Sequence, residues 1–361
     1  MESQRIIRSH KLHIFSAVFL CLLFAQTASA EYLLTTISVG SNPVRVAYDS
    51  GRGEIFVSNF NDNTVSVISD TSNTVVATVT VGTGPTGITY DSTRGEVFVS
   101  NENAGTVSVI SDATNAVVAT VTVGSSPGGV AYDSAKGEIF VANFLSNNVS
   151  VISDTSNTVV ATVTVGSSPQ GVAYDSGRGE IFVANGGSNN VSVISDTSNA
   201  VVATVTVGTS PNGIAYDSGR GEAFVTNEGS GTVSVISDAT NAVVATVTVG
   251  SSPGGVAYDS AKGEIFVANE SSQSVSVISD TSNTVVATVT VGTGPGGVAY
   301  DSAKGEIFVA NSTANTVSVL SDAAPPVALP EFPVGGVALL LVTSAAAYVG
   351  IRYRALRIPH I

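Results

Sequence analysis

Tyr48, Tyr90, Tyr132, Tyr174, Tyr216, Tyr258 and Tyr300 follow one another at a spacing of 42 residues without a slip, and Pro43, Pro85, Pro127, Pro169, Pro211, Pro253 and Pro295 keep the same step. No other feature of the 361-residue chain limits its fold so severely. A unit of this length does not enclose a core by itself, so each copy must bury its apolar faces against its neighbours.

Within the third copy four short runs stand out: "GVAYDS" (129–134), "GEIFVAN" (137–143), "NVSVISD" (148–154) and "TVVATVTVG" (158–166). Each is rich in β-branched residues and bounded by Gly, Ser, Asn, Asp or Pro, the punctuation of strands and turns. Helical spacing is sustained nowhere in the copy. The second run has Ile139, Phe140 and Val141 in succession, which suits a strand covered on both faces. Four strands in about 40 residues predict one antiparallel sheet per copy. The fold class is therefore all-β, a seven-bladed β-propeller of 42-residue, four-stranded repeats.

The second runs end in Phe-Val-Ser-Asn (56–59, 98–101), Phe-Val-Ala-Asn (140–143, 182–185, 266–269, 308–311) and Phe-Val-Thr-Asn (224–227). With the upstream Pro, the Ala-Tyr-Asp-Ser and the downstream Val-Ser-Val-Ile-Ser-Asp, they resemble the YVTN-type β-propeller repeat over residues 32–322, with Phe in place of the family's leading Tyr. The resemblance implies a propeller and a likeness to archaeal surface-layer proteins.

The seventh copy stops at Val-Leu-Ser-Asp (319–322) and runs into Ala-Ala-Pro-Pro without its fourth run. A run of that shape stands instead before the first copy, as "EYLLTTISVG" (31–40). Residues 32–39 are predicted to close the ring as the outer strand of the last blade. Closure removes long free edges and substitutes for disulfides, which a segment without Cys cannot form.

The two ends carry other signals. Arg5, Arg8 and Lys11, an apolar run over 14–25 and Ala28-Ser29-Ala30 read as a secretory signal over residues 1–30. Residues 31–322 are assigned to the propeller, 323–333 to a Pro-rich linker, 334–351 to an apolar membrane span, and 352–361 to a basic cytoplasmic tail. That order places the propeller outside the cell, at the surface, with the membrane as the partner of its C-terminal anchor. Pro330, Glu331, Phe332 and Pro333, followed by the span and the Arg cluster, resemble the PEF-type sorting tails of archaeal surface proteins. Such a tail implies processing by an archaeosortase-like protease.

Outside the signal and the tail there are 8 Lys and Arg against 27 Asp and Glu, a balance that disfavours nucleic acid as a partner. Cys21, His10, His13 and His360 all lie outside 31–333, which removes most metal-site and triad chemistry from the propeller. Neither a cofactor nor a metal is expected.

Comparing the copies separates two faces of the disc. The turns after the first and third strands repeat Asp-Ser-x-[Arg/Lys]-Gly-Glu, as in 49–54, and Ser-Asp-x-[Thr/Ser]-Asn, as in 69–73. The base inside each turn argues against a calcium loop, and the Asp is expected to cap its hairpin and pair with that base. The turns on the other face vary: "FNDN" (60–63), "ENAG" (102–105), "FLSN" (144–147), "GGSN" (186–189), "EGSG" (228–231), "ESSQ" (270–273) and "STAN" (312–315). Loops on a rigid scaffold are where binding usually resides. Arg45, Phe60, Phe144, Leu145, Gln170 and Asn212 are the candidate binding residues of that face. Four sequons, at Asn148, Asn190, Asn269 and Asn311, lie beside the same turns as candidate glycosylation sites.

No copy holds a distinct acid–base pair, and a catalytic centre rarely occurs seven times over. The expectation is a cell-surface, non-catalytic propeller with a structural or adhesive role, its partners being surface-layer proteins or glycans. The alternative is a secreted propeller that binds a small molecule or works as a lactonase- or lyase-like enzyme.

Overall fold

The computed structural model describes residues 31–322, which form 28 strands, β1 to β28 in chain order. The first sheet comprises β2 (Pro43–Asp49), β3 (Glu54–Asn59), β4 (Thr64–Ser69) and β5 (Thr74–Thr80), and five further sheets repeat this order along the chain. The seventh has the order β1-β28-β27-β26, where β1 is Tyr32–Ser38 and β26 to β28 are Pro295–Asp301, Glu306–Asn311 and Thr316–Ser321. All seven sheets are antiparallel blades of one propeller. The N-terminal strand closes the ring as the sequence predicts.

Closure is a full strand pairing. Tyr32 lies opposite Ser321 and Ser38 opposite Thr316, and Ile37 is buried between the last blade and the first. The closing seam copies an internal one. Asn42 N–H donates to Asn315 Oδ1 at 2.9 Å, as Gly84 N–H donates to Asn63 Oδ1 at 2.9 Å one blade further on.

The core consists of seven apolar wedges, one between each pair of neighbouring blades. Phe56, Val65, Val67 and Val79 of the first blade meet Ile88, Val97, Val99 and Ile110 of the second. On the other side Ile55 and Val57 enter the wedge shared with Phe308 and Val317 of the last blade. The second strand of a blade thus sends alternate residues into two wedges, and this is why it reads as continuously apolar. All seven Phe at this position are fully buried, each contributing roughly 2–3 kcal/mol of transfer free energy.

Asn59 and its counterparts end the second strands inside the fold. Asn59 Nδ2 donates to Thr64 Oγ1 at 3.1 Å and to Ser66 Oγ at 2.9 Å, which ties the second-to-third turn to the strand that follows. The arriving outer strand packs on the same side chain, because a Cβ on Gly40 would lie 2.6 Å from Asn59 Cγ. The Val-Gly that ends each outer strand is therefore a contact requirement.

Two expectations are corrected here. Asn269 and Asn311 are fully buried, and each Nδ2 donates to two hydroxyls, those of Ser274 and Ser276 and of Thr316 and Ser318. Neither side chain has room for a sugar in this fold. Asn148 and Asn190 are half-buried, and only their Oδ1 atoms are engaged, by Asn143 and Asn185.

The second correction concerns the hairpin base. Asp49 does cap its turn, its Oδ1 accepting from Gly51 N–H at 2.8 Å and Arg52 N–H at 3.1 Å. Its carboxylate is fully buried, however, and Tyr90 of the next blade reaches back to it. Arg52 on the exposed turn pairs instead with Glu54 at 3.7 Å, and Arg94, Arg178 and Arg220 pair likewise with Glu96, Glu180 and Glu222. Two of the lysines behave differently. Lys304 crosses the closing seam to Asp70 at 3.8 Å, and Lys136 reaches the Asp196 carbonyl of the next blade at 3.5 Å.

No helix among the described residues is long and apolar enough to cross a membrane, and no group of His, Cys, Asp and Glu among them is arranged to hold a metal ion. The secretory signal (1–30), the linker with Pro330, Glu331, Phe332 and Pro333, the span (334–351) and the basic tail lie outside the described residues.

A candidate binding funnel on the variable face

Each first strand enters the ring with an irregularity between its Pro and the residue three further on, for example between Pro43 and Val46. The two intervening residues bulge toward the axis of the disc. The second of them is Gly87, Gly129, Gly171, Gly213, Gly255 or Gly297 in six blades and Arg45 in one. The glycines are sterically required. A Cβ on Gly129 would lie 2.2 Å from the Gln170 carbonyl, and one on Gly171 2.2 Å from that of Asn212. The first blade is the exception, and its side chain enters the axial opening.

Arg45 reaches across the ring to the fifth blade, where Nη2 donates to Asn212 Oδ1 at 2.9 Å. Asn212 Nδ2 in turn donates to Glu228 Oε2 at 3.1 Å, which fixes the amide so that its oxygen faces the guanidinium. Nη1 makes one long contact, 3.5 Å to the Val44 carbonyl, and Arg45 forms no ion pair among the described residues. Burial pulls its proton affinity below the ordinary arginine value, and the fields of Glu270 and Glu228 oppose that shift. The guanidinium stays charged at any physiological pH.

Two cavities are lined by this side chain, and a third shares Phe144 and Gln170 with the first of them. One of about 240 Å³ is lined by Val44, Arg45, Thr86, Glu102, Ser126, Phe144 and Gln170, among others. A second of about 150 Å³ continues down the axis into a collar of β-branched residues that includes Val46, Ile88, Val130 and Val172. A third of about 510 Å³ opens outward past Phe144, Gln170 and Glu228. Together they make a funnel with a polar wall, an aromatic lip and a cationic floor.

Four of the six candidate binding residues sit at this funnel, and Phe60 and Leu145 line none of its cavities. Arg45 and Asn212 form the bridge, Gln170 and Phe144 line the walls, and Phe60 is half-buried over the entry to the second blade, where a Cβ on Gly84 would meet its ring at 3.2 Å. Leu145 is 66% exposed and lines none of the three cavities.

Glu102, Glu228 and Glu270 are acidic neighbours of this opening that inspection of the loops passed over. They occupy the repeat position of Phe60 and Phe144, so aligning the copies position by position would have found them. Burial raises the Glu102 carboxyl above the usual carboxylate range, and no base offsets it.

The opposite end of the axis is different in kind. A cavity of about 490 Å³ there is lined by Tyr48, Tyr90, Tyr258, Tyr300 and serines of the repeated hairpins. Burial, then the adjacent Asp carboxylates, push the Tyr48 and Tyr90 hydroxyls above the ordinary phenol value. Every copy carries the same Tyr and Ser at these positions, and the departures nearby are neutral, Thr89 for Ala and Thr93 for Gly or Ala.

Among solved structures the chain is similar to Kuenenia stuttgartiensis hydrazine synthase, with a TM-score of 0.71 and 18% identity over 83% of this chain and 99% of that one. The likeness is one of fold. At that identity it carries neither the activity nor any residue of the other protein to this one. No protein family and no curated protein sequence matches the chain. The seven-bladed propeller rests on sheet topology and structural similarity together.

Proposed function

We propose that the protein is a non-catalytic binding propeller displayed at the cell surface, and that it recognises its ligand with the axial funnel of the variable face. One observation carries this reading: where six blades place a glycine at the axis, the first places Arg45, and the cavities gather around it. A scaffold of near-identical copies otherwise has no reason to hold a single half-buried cation at its centre. The secretory signal, the apolar span and the resemblance to YVTN-type surface proteins support display outside the cell.

Catalysis is disfavoured by repetition. The Glu54-type carboxyls and the Tyr48-type phenols with raised proton affinity occur in every blade at equivalent positions, as scaffold groups do, and Glu102, the raised carboxyl of the funnel, has no acid–base partner among the described residues. A purely structural role in a surface layer would use the rim, where six outer strands expose a Val pair such as Val75 and Val76 and β1 exposes Leu33 and Leu34. Those strands carry a β-bulge at that pair, between Val67 and Ile68 of the facing strand, which blunts edge-to-edge addition. Binding at the funnel is the better-supported role.

The test is to present the labelled full-length chain to arrays of glycans, peptides and small polar metabolites, beside an Arg45→Gly variant. Glycine already occupies the position in six blades, so the variant should fold. The expected result is retention of one ligand class by the native chain and at least about tenfold weaker retention by the variant, a loss of about 1.4 kcal/mol. If Arg45 is only a staple across the ring, the variant will melt earlier and bind the same ligands.

A further inference from the structure

We infer that the ligand of this funnel is a small zwitterion, its carboxylate held by the Arg45 guanidinium and its cationic group held between Glu102 and Phe144. The inference rests on the binding role proposed above and specifies the chemistry of the site.

Arg45 supplies the anionic half of the argument. Of its five N–H donors one is given to Asn212 and one makes the long contact with Val44, so the remaining donors lack a protein acceptor among the described residues. A planar fork with free donors matches a carboxylate in a bidentate pairing. Glu228 orients the fork through Asn212 and acts as a positioning residue.

The walls then decide which anion is acceptable. Glu228 and Glu270 lie close enough to act on Arg45 electrostatically, and Glu102 lines the same cavity. A phosphate dianion would meet these carboxylates with like charge, whereas a carboxylate brings a single negative charge. The acidic balance of the chain works in the same direction.

Glu102 supplies the cationic half. Its carboxylate is half-buried, has no hydrogen-bond partner among the described residues and is offset by no base. Phe144 occupies the same repeat position one blade further on and lines the same cavity, its ring 37% exposed. A carboxylate beside an aromatic face receives an ammonium by ion pairing and by cation–π attraction together. The compartment that Arg45, Glu102 and Phe144 share holds about 240 Å³, below the range of about 300–1,000 Å³ usual for drug-sized ligands, so the zwitterionic group seated there is small.

The experiment is titration calorimetry of the full-length chain with glycine, β-alanine, γ-aminobutyrate and ε-aminohexanoate, zwitterions of increasing charge separation. Acetate, butylamine, inorganic phosphate and glucose serve as controls. One zwitterion is expected to bind at least about tenfold more tightly than acetate or butylamine. Arg45→Gly should abolish binding of that zwitterion and of acetate. Glu102→Gln should bring the zwitterion down to the level of acetate and leave acetate unchanged. Phosphate or glucose binding more tightly than every zwitterion, in an Arg45-dependent way, would overturn the ligand class and leave the funnel as the site. The class also fails if no zwitterion binds or if Glu102→Gln changes nothing. Tight binding of any probe that is indifferent to Arg45→Gly would sink the funnel itself.

Discussion

At the scale of single residues, the repeat lets each position be judged against six others in the same molecule. Ala223 stands where the remaining blades have Ile or Val, and it is fully buried against Phe182, Val191 and Val193. Ile214 in the same wedge stands where five blades have Val and adds one methylene, fewer than the three carbons by which Ala223 falls short of Ile. Ala223→Ile should therefore stabilise the protein by about 1–3 kcal/mol in denaturant unfolding; a loss of stability would mean that the wedge has collapsed around the alanine. The Glu54-type carboxyls give a prediction in pH. Burial raises all seven above the ordinary value of 4.5, and Glu264, which also faces Glu31, reaches about 7. The folded chain holds these protons to higher pH than the unfolded chain does. Their contribution is therefore complete below 4.5 and is lost as pH rises toward 7. The melting temperature should be higher at about pH 5 than at about pH 8, and Glu264→Gln should flatten that difference in part. A melting temperature that climbs with pH over this range would contradict the assignment. Legibility was uneven here. Asn59 and Asn269 were visible as strand-end asparagines, yet the sequence did not show that their Nδ2 atoms lock the following hairpin and leave no room for a glycan. The base in the hairpin was visible too, but its choice of Glu54 over Asp49 depends on which carboxylate the fold buries.

At the scale of elements, strand positions and the closing strand were readable because β-branched runs and turn residues alternate so regularly in every copy. The bulges were not. A bulge is a mismatch between two strands, and a single strand's sequence does not contain it. The irregularity after Pro43 sends residue 45 to the axis, while the one at Val75–Ala77 bends the exposed edge of the blade. The first creates the funnel and the second guards the rim. The clasp is the element with the most direct test. Deleting Glu31–Gly40 strips β28 of its partner and removes Ile37 from the closing wedge, which should lower the melting temperature by on the order of ten degrees. A synthetic peptide of sequence EYLLTTISVG, added in excess, should restore most of the loss by adding back as a strand. An unchanged melting curve on deletion would show that β1 is dispensable.

At the scale of the whole molecule, sevenfold repetition builds the scaffold and departures from it mark the working part. The constant face keeps the same Asp, Tyr and Glu in every blade, and those residues cap hairpins and join neighbours. The variable face carries Arg45, Asn212 and three glutamates around one opening. The candidate loops were legible from their variation alone. Their convergence on the axis was not, because residues of blades one to five meet only when the ring is closed. Hydrogen exchange on the full-length chain, with and without the ligand class that the arrays return, tests the central claim most directly. Protection is predicted at residues 43–46, 102–105, 144–147, 170–171 and 212–213, with none added on the Asp49–Glu54 hairpin or its counterparts. Protection confined to the hairpin face or to the outer strands would place recognition elsewhere on the disc and contradict the account.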